Sequence, residues 1–301
     1  MILRLFLKIF LYSLDFMKIK KVLIFFLAVF CILFTGSAQA FVPQTPHLLH
    51  LVNQKIKEPV GLEVHQVRKV IDSSAIGEQG VQTETKTIEL NEKLVYDFPA
   101  RLRSEILLDK SSRFYVESGS QFIKISDGVA VSLKKSPVDF YTDILLYRDH
   151  KSLLRQLVLA GVDTEKVTFQ RLDNKLCYFI GQPPAGSPKK FQGLWIEKDS
   201  FFPVLYVIKK NTWTLAFHYK NWQRVSKTWY PMQISIFVDD QLFVDIEVQT
   251  FELKSTFSSE LFDVDYIQQR YPAKNRYEGQ EASGEIDELE KQIENFRKLY
   301  E

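Results

Sequence analysis

Cysteine is nearly absent: the 301-residue chain has two, Cys31 and Cys177. Cys31 lies inside an N-terminal apolar run, so the rest of the chain holds a single thiol and no internal disulfide. An exported chain without such staples must rely on its hydrophobic core. Cys177 sits in the strand-like "KLCYFIG" and reads as a buried, inert thiol. Catalytic signatures are missing too. There is no P-loop, no G-x-S-x-G and no H-E-x-x-H. Among the five histidines, the pair His47 and His50 lies at helical spacing, but no nearby Cys or carboxylate cluster supplies the further ligands that a metal site needs. The two read as a surface pair. Neither catalytic activity, metal nor cofactor is expected.

An excess of charge of one sign is also lacking. The whole chain has 39 basic and 37 acidic residues. Its first forty residues hold five of the basic ones and one acid, which leaves 34 against 36. The basic isoelectric point therefore comes from the N-terminal segment. The remainder has no electrostatic support for nucleic-acid binding.

That segment is a leader. "MKIKKVLIFFLAVFCILFTGSAQA" begins at Met17 with three lysines, runs apolar from Val22 to Phe34 and ends in Ala38-Gln39-Ala40. This is the order of a cleaved secretory signal, and the apolar run is shorter than the ~20 residues that a bilayer requires. Residues 1–40 are assigned to the signal, with translation from Met17, and the mature chain begins at Phe41.

The remainder is rich in strands. "TPHLLHLVNQKI" carries Leu48, Leu51, Val52 and Ile56 at helical spacing, with Thr45 as its cap. From Leu62 onward alternating segments follow, with Asp127-Gly128 as a hairpin turn. One helical insert interrupts them. It is "DHKSLLRQLVLAG", with Asp149 as cap and Gly161 past its end, and the preceding "VDFYTDILLYR" adds a turn of helix. Strands then resume to Leu253. In "WYPMQISIFVDDQLFVDIEVQTFEL", Ile234, Ile236 and Val238 share one face, as do Leu242, Val244, Ile246 and Val248 across an Asp239-Asp240 turn. "LFDVDY" reads as a turn after the last strand. Residues 267–284 read as a polar linker. Residues 285–301 form a helix with one apolar stripe, serving either its own domain or a partner. The folded domain is placed at 41–266.

The pattern predicts a mainly β, α+β fold: an antiparallel meander with one apolar face and few helices to cover it. Aromatic residues crowd this face. Trp213, Leu215, Phe217, Ile234, Ile236, Val244 and Ile246 are its inward positions on three neighbouring strands. A concave greasy space of this kind suits an apolar chain.

The order of elements resembles the LolA/LolB-like family of periplasmic lipoprotein carriers. "FPARLRSEI", "FIKISDGVAVSL", "LWIEKDSFFPVLYVI", "YKNWQRVSKTWYPMQISIF" and the final "LFDVD" carry the resemblance over about Pro46 to Tyr266. It implies an unclosed antiparallel β half-barrel with lid helices. It further implies a periplasmic carrier whose ligand is a lipid or an acylated lipoprotein, delivered between envelope membranes. The dedicated chaperones of the family use an arginine just before the proline to work the lid. Here Phe98 holds that place and Arg101 and Arg103 follow the proline, so these three are the lid or entrance candidates. The same fold also serves an envelope sensor, which implies membrane-anchored protein partners as the alternative.

Overall fold

The computed structural model describes residues 42–71, 87–107, 112–182, 191–209 and 213–272. The expected leader, the expected mature N-terminus at Phe41 and the helix expected over 285–301 lie outside them.

Thirteen strands form one antiparallel sheet. They are β1 (Gly61–Ile71), β2 (Thr87–Asp97), β3 (Arg101–Leu107), β4 (Ser112–Ser118), β5 (Gln121–Ser126), β6 (Val129–Ser132), β7 (Val167–Leu172), β8 (Lys175–Gly181), β9 (Gly193–Glu197), β10 (Pro203–Lys209), β11 (Thr214–Val225), β12 (Thr228–Val238) and β13 (Gln241–Lys254). The spatial order is 6-5-4-3-2-1-13-12-11-10-9-8-7. The chain thus starts mid-sheet and walks outward to one edge. It then crosses to the other edge and walks back, until β13 pairs with β1 over Gly61↔Lys254 to Val70↔Val244. No pairing joins β6 to β7 among the described residues, so the half-barrel stays open.

The crossover between these edges is the helical insert. A 3₁₀ turn (Pro137–Thr142) runs into α2 (Asp143–Leu146) and then α3 (His150–Leu159). The Asp149 side chain accepts from Lys151 N and Ser152 N, capping α3 as expected. The helix ends where Val162 N reaches Leu157 O and Gly161 N reaches Val158 O, with Gly161 at φ +86°. This is a left-handed stop that only glycine takes without strain. Ahead of the sheet, α1 (Thr45–Ile56) buries Leu48, Leu49, Val52 and Ile56. Gln44, not Thr45, holds its cap position, and the Thr45 hydroxyl instead donates to Thr164 O at 2.6 Å.

Side chains of α1, of the crossover and of the concave face make one buried core, including Leu49, Tyr141, Leu145, Leu157, Phe217 and Ile236. Each fully buried aliphatic or aromatic group contributes roughly 1.5–3 kcal/mol. The greasy space expected from the sequence is therefore filled by the protein's own helices.

Two local features depart from the sequence reading. The β12–β13 hairpin turns at Asp239 and Asp240, both at positive φ, but its register shifts between Ile236 and Phe237. Leu242 consequently pairs with Phe237 and is exposed, while Phe243 is buried in the core. The bulge adds a residue and reverses the alternation beyond it. Second, "LFDVDY" is not a plain turn. Asp263 caps α4 (Val264–Arg270) by accepting from Tyr266 N. With Phe262, Val264 and Ile267 it covers Val95, Val116, Ile123 and Ile125 on the convex face. The boundary drawn at Tyr266 falls inside this helix.

Candidate functional site

The concave face has two walls of different chemistry. The apolar wall is built on β10 to β13. Phe217 pairs with Ile236, which pairs with Val244, and Tyr219 pairs with Ile234, which pairs with Ile246. Leu215 precedes them opposite Val238. Six of the seven expected ligand-facing side chains are thus brought together in adjacent rows, each 3 % exposed or less. Trp213, just before β11, is half-buried against the same cluster. The crossover lies on this wall, where Tyr219 donates to the Tyr141 carbonyl at 2.8 Å.

The polar wall spans β1 to β5. The alternation that turns Leu62, Val64 and Val70 inward also turns in Gln66 and Arg68. In β2 it turns in Glu92 between Leu90 and Leu94, and in β4 it turns in Arg113, Tyr115 and Glu117. Arg68 donates to Glu92 through Nε at 3.1 Å and Nη2 at 3.2 Å. Gln66 Nε2 and Ser104 Oγ each donate to Glu92 at 2.6 Å.

The crossover hooks onto this wall. Asp139 Oδ1 accepts from Arg68 Nη1 and Nη2, both at 3.1 Å. Its Oδ2 accepts from Arg113 Nη2 at 3.1 Å. Burial acts to raise the Asp139 pKa, but Arg68, Arg113 and Lys124 outweigh it and hold the carboxyl below its ordinary value. Burial likewise acts to lower Arg68, yet Glu92, Tyr141 and Asp139 keep it protonated well above the usual range. Just ahead of Asp139, Lys135 Nζ donates to Glu117 at 2.7 Å and to Asp143, a turn beyond Asp139, at 2.5 Å. Tyr147 also donates to Glu117, at 2.8 Å. With burial, and with Glu117 competing for the same lysine, the Asp143 pKa is pushed up to about 6.

The sequence reading did not find this network. Its signal was available: polar residues stand at the apolar phase of three strands. The pairing that explains them is distant in sequence.

The three lid candidates are placed apart. Phe98 stacks on Tyr96 at 5.8 Å and lies under the Arg148 guanidinium, on the core side. Arg101 and Arg103 point to the convex side. Arg101 pairs with Asp97 and lies over the Phe262 ring. Arg103 binds Glu105 and donates to the Leu261 carbonyl.

Among the described residues no three His, Cys, Asp or Glu side chains gather to hold a metal, and no helix is long and apolar enough to cross a membrane. Cys177 is buried, with its thiol pushed up to about 11 by burial and by Glu197.

No protein-family model and no curated protein sequence matches the chain. Among solved structures it is similar to a LolA superfamily protein from Nitrosomonas europaea, at 9 % identity and TM-score 0.49, over 75 % of this chain and 100 % of that one. It is similar to an outer membrane lipoprotein-sorting protein domain from Vibrio parahaemolyticus, at 10 % identity and TM-score 0.47, over 74 % and 97 %. A DUF1329 family protein from Desulfovibrio piger matches at 12 % identity and TM-score 0.46, over 74 % and 98 %.

Proposed function

We propose that the protein is a periplasmic carrier of an apolar chain, a lipid or the acyl group of a lipoprotein, which it holds against the apolar wall. One observation carries the reading: the apolar wall is covered by the crossover segment with α1 beside it. The hooks of that segment on the opposite wall are polar, whereas its contact with the apolar wall is largely greasy. An incoming acyl chain can replace the latter contact at little cost, because apolar burial is non-directional. Trp213, Leu215, Phe217, Ile234, Ile236, Val244 and Ile246 would then line the chain. The leader supports export, and such a ligand suits transfer between envelope membranes.

The test is native mass spectrometry of protein purified without detergent, followed by titration with a fluorescent acyl probe. A co-purifying lipid mass and saturable probe binding are expected. A clean apo mass together with no probe binding overturns the reading.

A further inference from the structure

Asp139 belongs to the crossover, while both arginines that it satisfies belong to the wall. We propose that Arg68 and Arg113 form the site for the anionic group of an amphiphilic ligand, a phosphate or carboxylate ending an apolar chain. Asp139 stands in for that group in the closed protein. The inference rests on the carrier reading and specifies its ligand.

Three observations support it. First, a small cavity of about 10 Å³, roughly the room of one water, opens where Arg68, Arg113 and Asp139 meet Val70, Phe243 and Val244. Val244 is also part of the apolar wall, so the arginine pair adjoins the place where an acyl chain would lie. Second, donors are in excess there. Arg113 is 4 % exposed, yet its Nε finds no acceptor among the described residues. The buried hydroxyls of Tyr115 and Ser126, inward-facing on β4 and β5, are likewise unmatched among them. A guanidinium offers five donors in a fork matched to carboxylate and phosphate.

Third, opening leaves a charge unmet. Among the described residues, the inward cations of the wall are Arg68, Arg113 and Lys124, and its inward carboxylates are Glu92 and Glu117. Without the crossover the count is three against two. Arg68 keeps Glu92, but Arg113 loses its carboxylate partner among the described residues. Separating a buried ion pair is strongly unfavourable unless another ion takes the vacated place. An amphiphile can do both jobs, its head replacing Asp139 and its chain replacing the apolar face of the crossover. A neutral chain can do only the second.

The experiment titrates the exported full chain with hexadecyl phosphate, hexadecanoate and hexadecanol, each below its aggregation concentration, followed by calorimetry. Both anionic amphiphiles are expected to bind at least about tenfold tighter than the alcohol, the equivalent of one charge-assisted hydrogen bond. Arg113→Gln combined with Asp139→Asn leaves no lone buried charge and should bring that ratio to near one. Arg113→Lys should keep part of it, and Asp139→Asn alone, with the internal competitor weakened, should raise it. Competition by millimolar inorganic phosphate against the anionic amphiphiles would show that the site also takes a free anion. Absence of competition would assign it to the chain-borne head. Equal affinity for all three amphiphiles in the wild type overturns the inference but spares the carrier reading, as does an unchanged ratio in a folded double variant. Binding of none of the three overturns both.

Discussion

The guanidinium of Arg148 lies 5.0 Å over the ring of Phe98, joining the middle of the crossover, between α2 and α3, to the β2–β3 corner. The same guanidinium donates to Leu145 O, Lys57 O and Thr228 Oγ1. It therefore ties α2, the end of α1 and β12 together. Burial lowers its pKa to about 10, with Tyr230, Tyr96 and Glu58 opposing, so it stays charged at neutral pH. Arg148→Ala should cost about 2–4 kcal/mol, the sum expected for hydrogen bonds from a charged donor and a desolvated cation–π contact. A double-mutant cycle with Phe98→Ala should show a coupling of roughly 0.5–2 kcal/mol in urea melts. Additive losses would mean that the stacked geometry contributes nothing.

Asp143 gives the fold a pH dependence of its own. Its folded pKa is raised to about 6 from 3.8. Between these values the folded state holds more protons than the unfolded one, so this group's contribution falls as pH rises through about 6. Asp139, with its lowered value, works in the opposite sense and is lost on acidification. Asp143→Asn removes the first effect alone. Relative to wild type, the variant should gain stability as pH goes from 4 to 7, by at most about 3 kcal/mol. A constant difference across that range would show that Asp143 titrates alike in the folded and unfolded chain.

Phe217 and Ile236 are fully buried in the closed protein. Cutting either to Ala should cost about 2–5 kcal/mol, the range for a packed core rather than a vacant pocket. Ile236→Glu should destabilise more, because an uncompensated carboxylate would enter the core. Urea midpoints decide this. A loss below about 1 kcal/mol for both Ala variants would show a face held open in solution.

Ile267 is buried under the convex face, Tyr271 packs on Phe114, and Ala130 N donates to Pro272 O. A chain cut after Tyr266 loses all three contacts. It should melt several degrees below a chain cut after Pro272. Equal melting temperatures would make α4 an accessory of the fold.

Much of the sheet was legible because alternation is a local property. A period of two assigns Phe217, Ile234, Ile236, Val244 and Ile246 to one face without knowledge of any partner. The same holds for the apolar spacing of α1 and α3, and for the ends of α3, which lie within a few positions of each other. Asp263 and its capping of α4 were local too, but a seven-residue helix leaves too short a periodic pattern to separate from a turn. The bulge after Ile236 was hidden for another reason. Phe243 and Leu242 are adjacent and equally apolar, and only the register with β12 decides which one turns inward.

The sequence by itself determined the strands, their apolar phase away from the β12–β13 bulge, and the helical insert, since each depends on neighbours a few residues away. Tertiary structure alone decided that this insert spans the two open edges, and which charges it meets there. Arg68 and Asp139 are 71 positions apart, and Arg148 and Thr228 are 80. An inward arginine in a strand is a defect until the fold delivers its carboxylate. Burial makes that pairing obligatory, but only the path of the chain determines which carboxylate arrives.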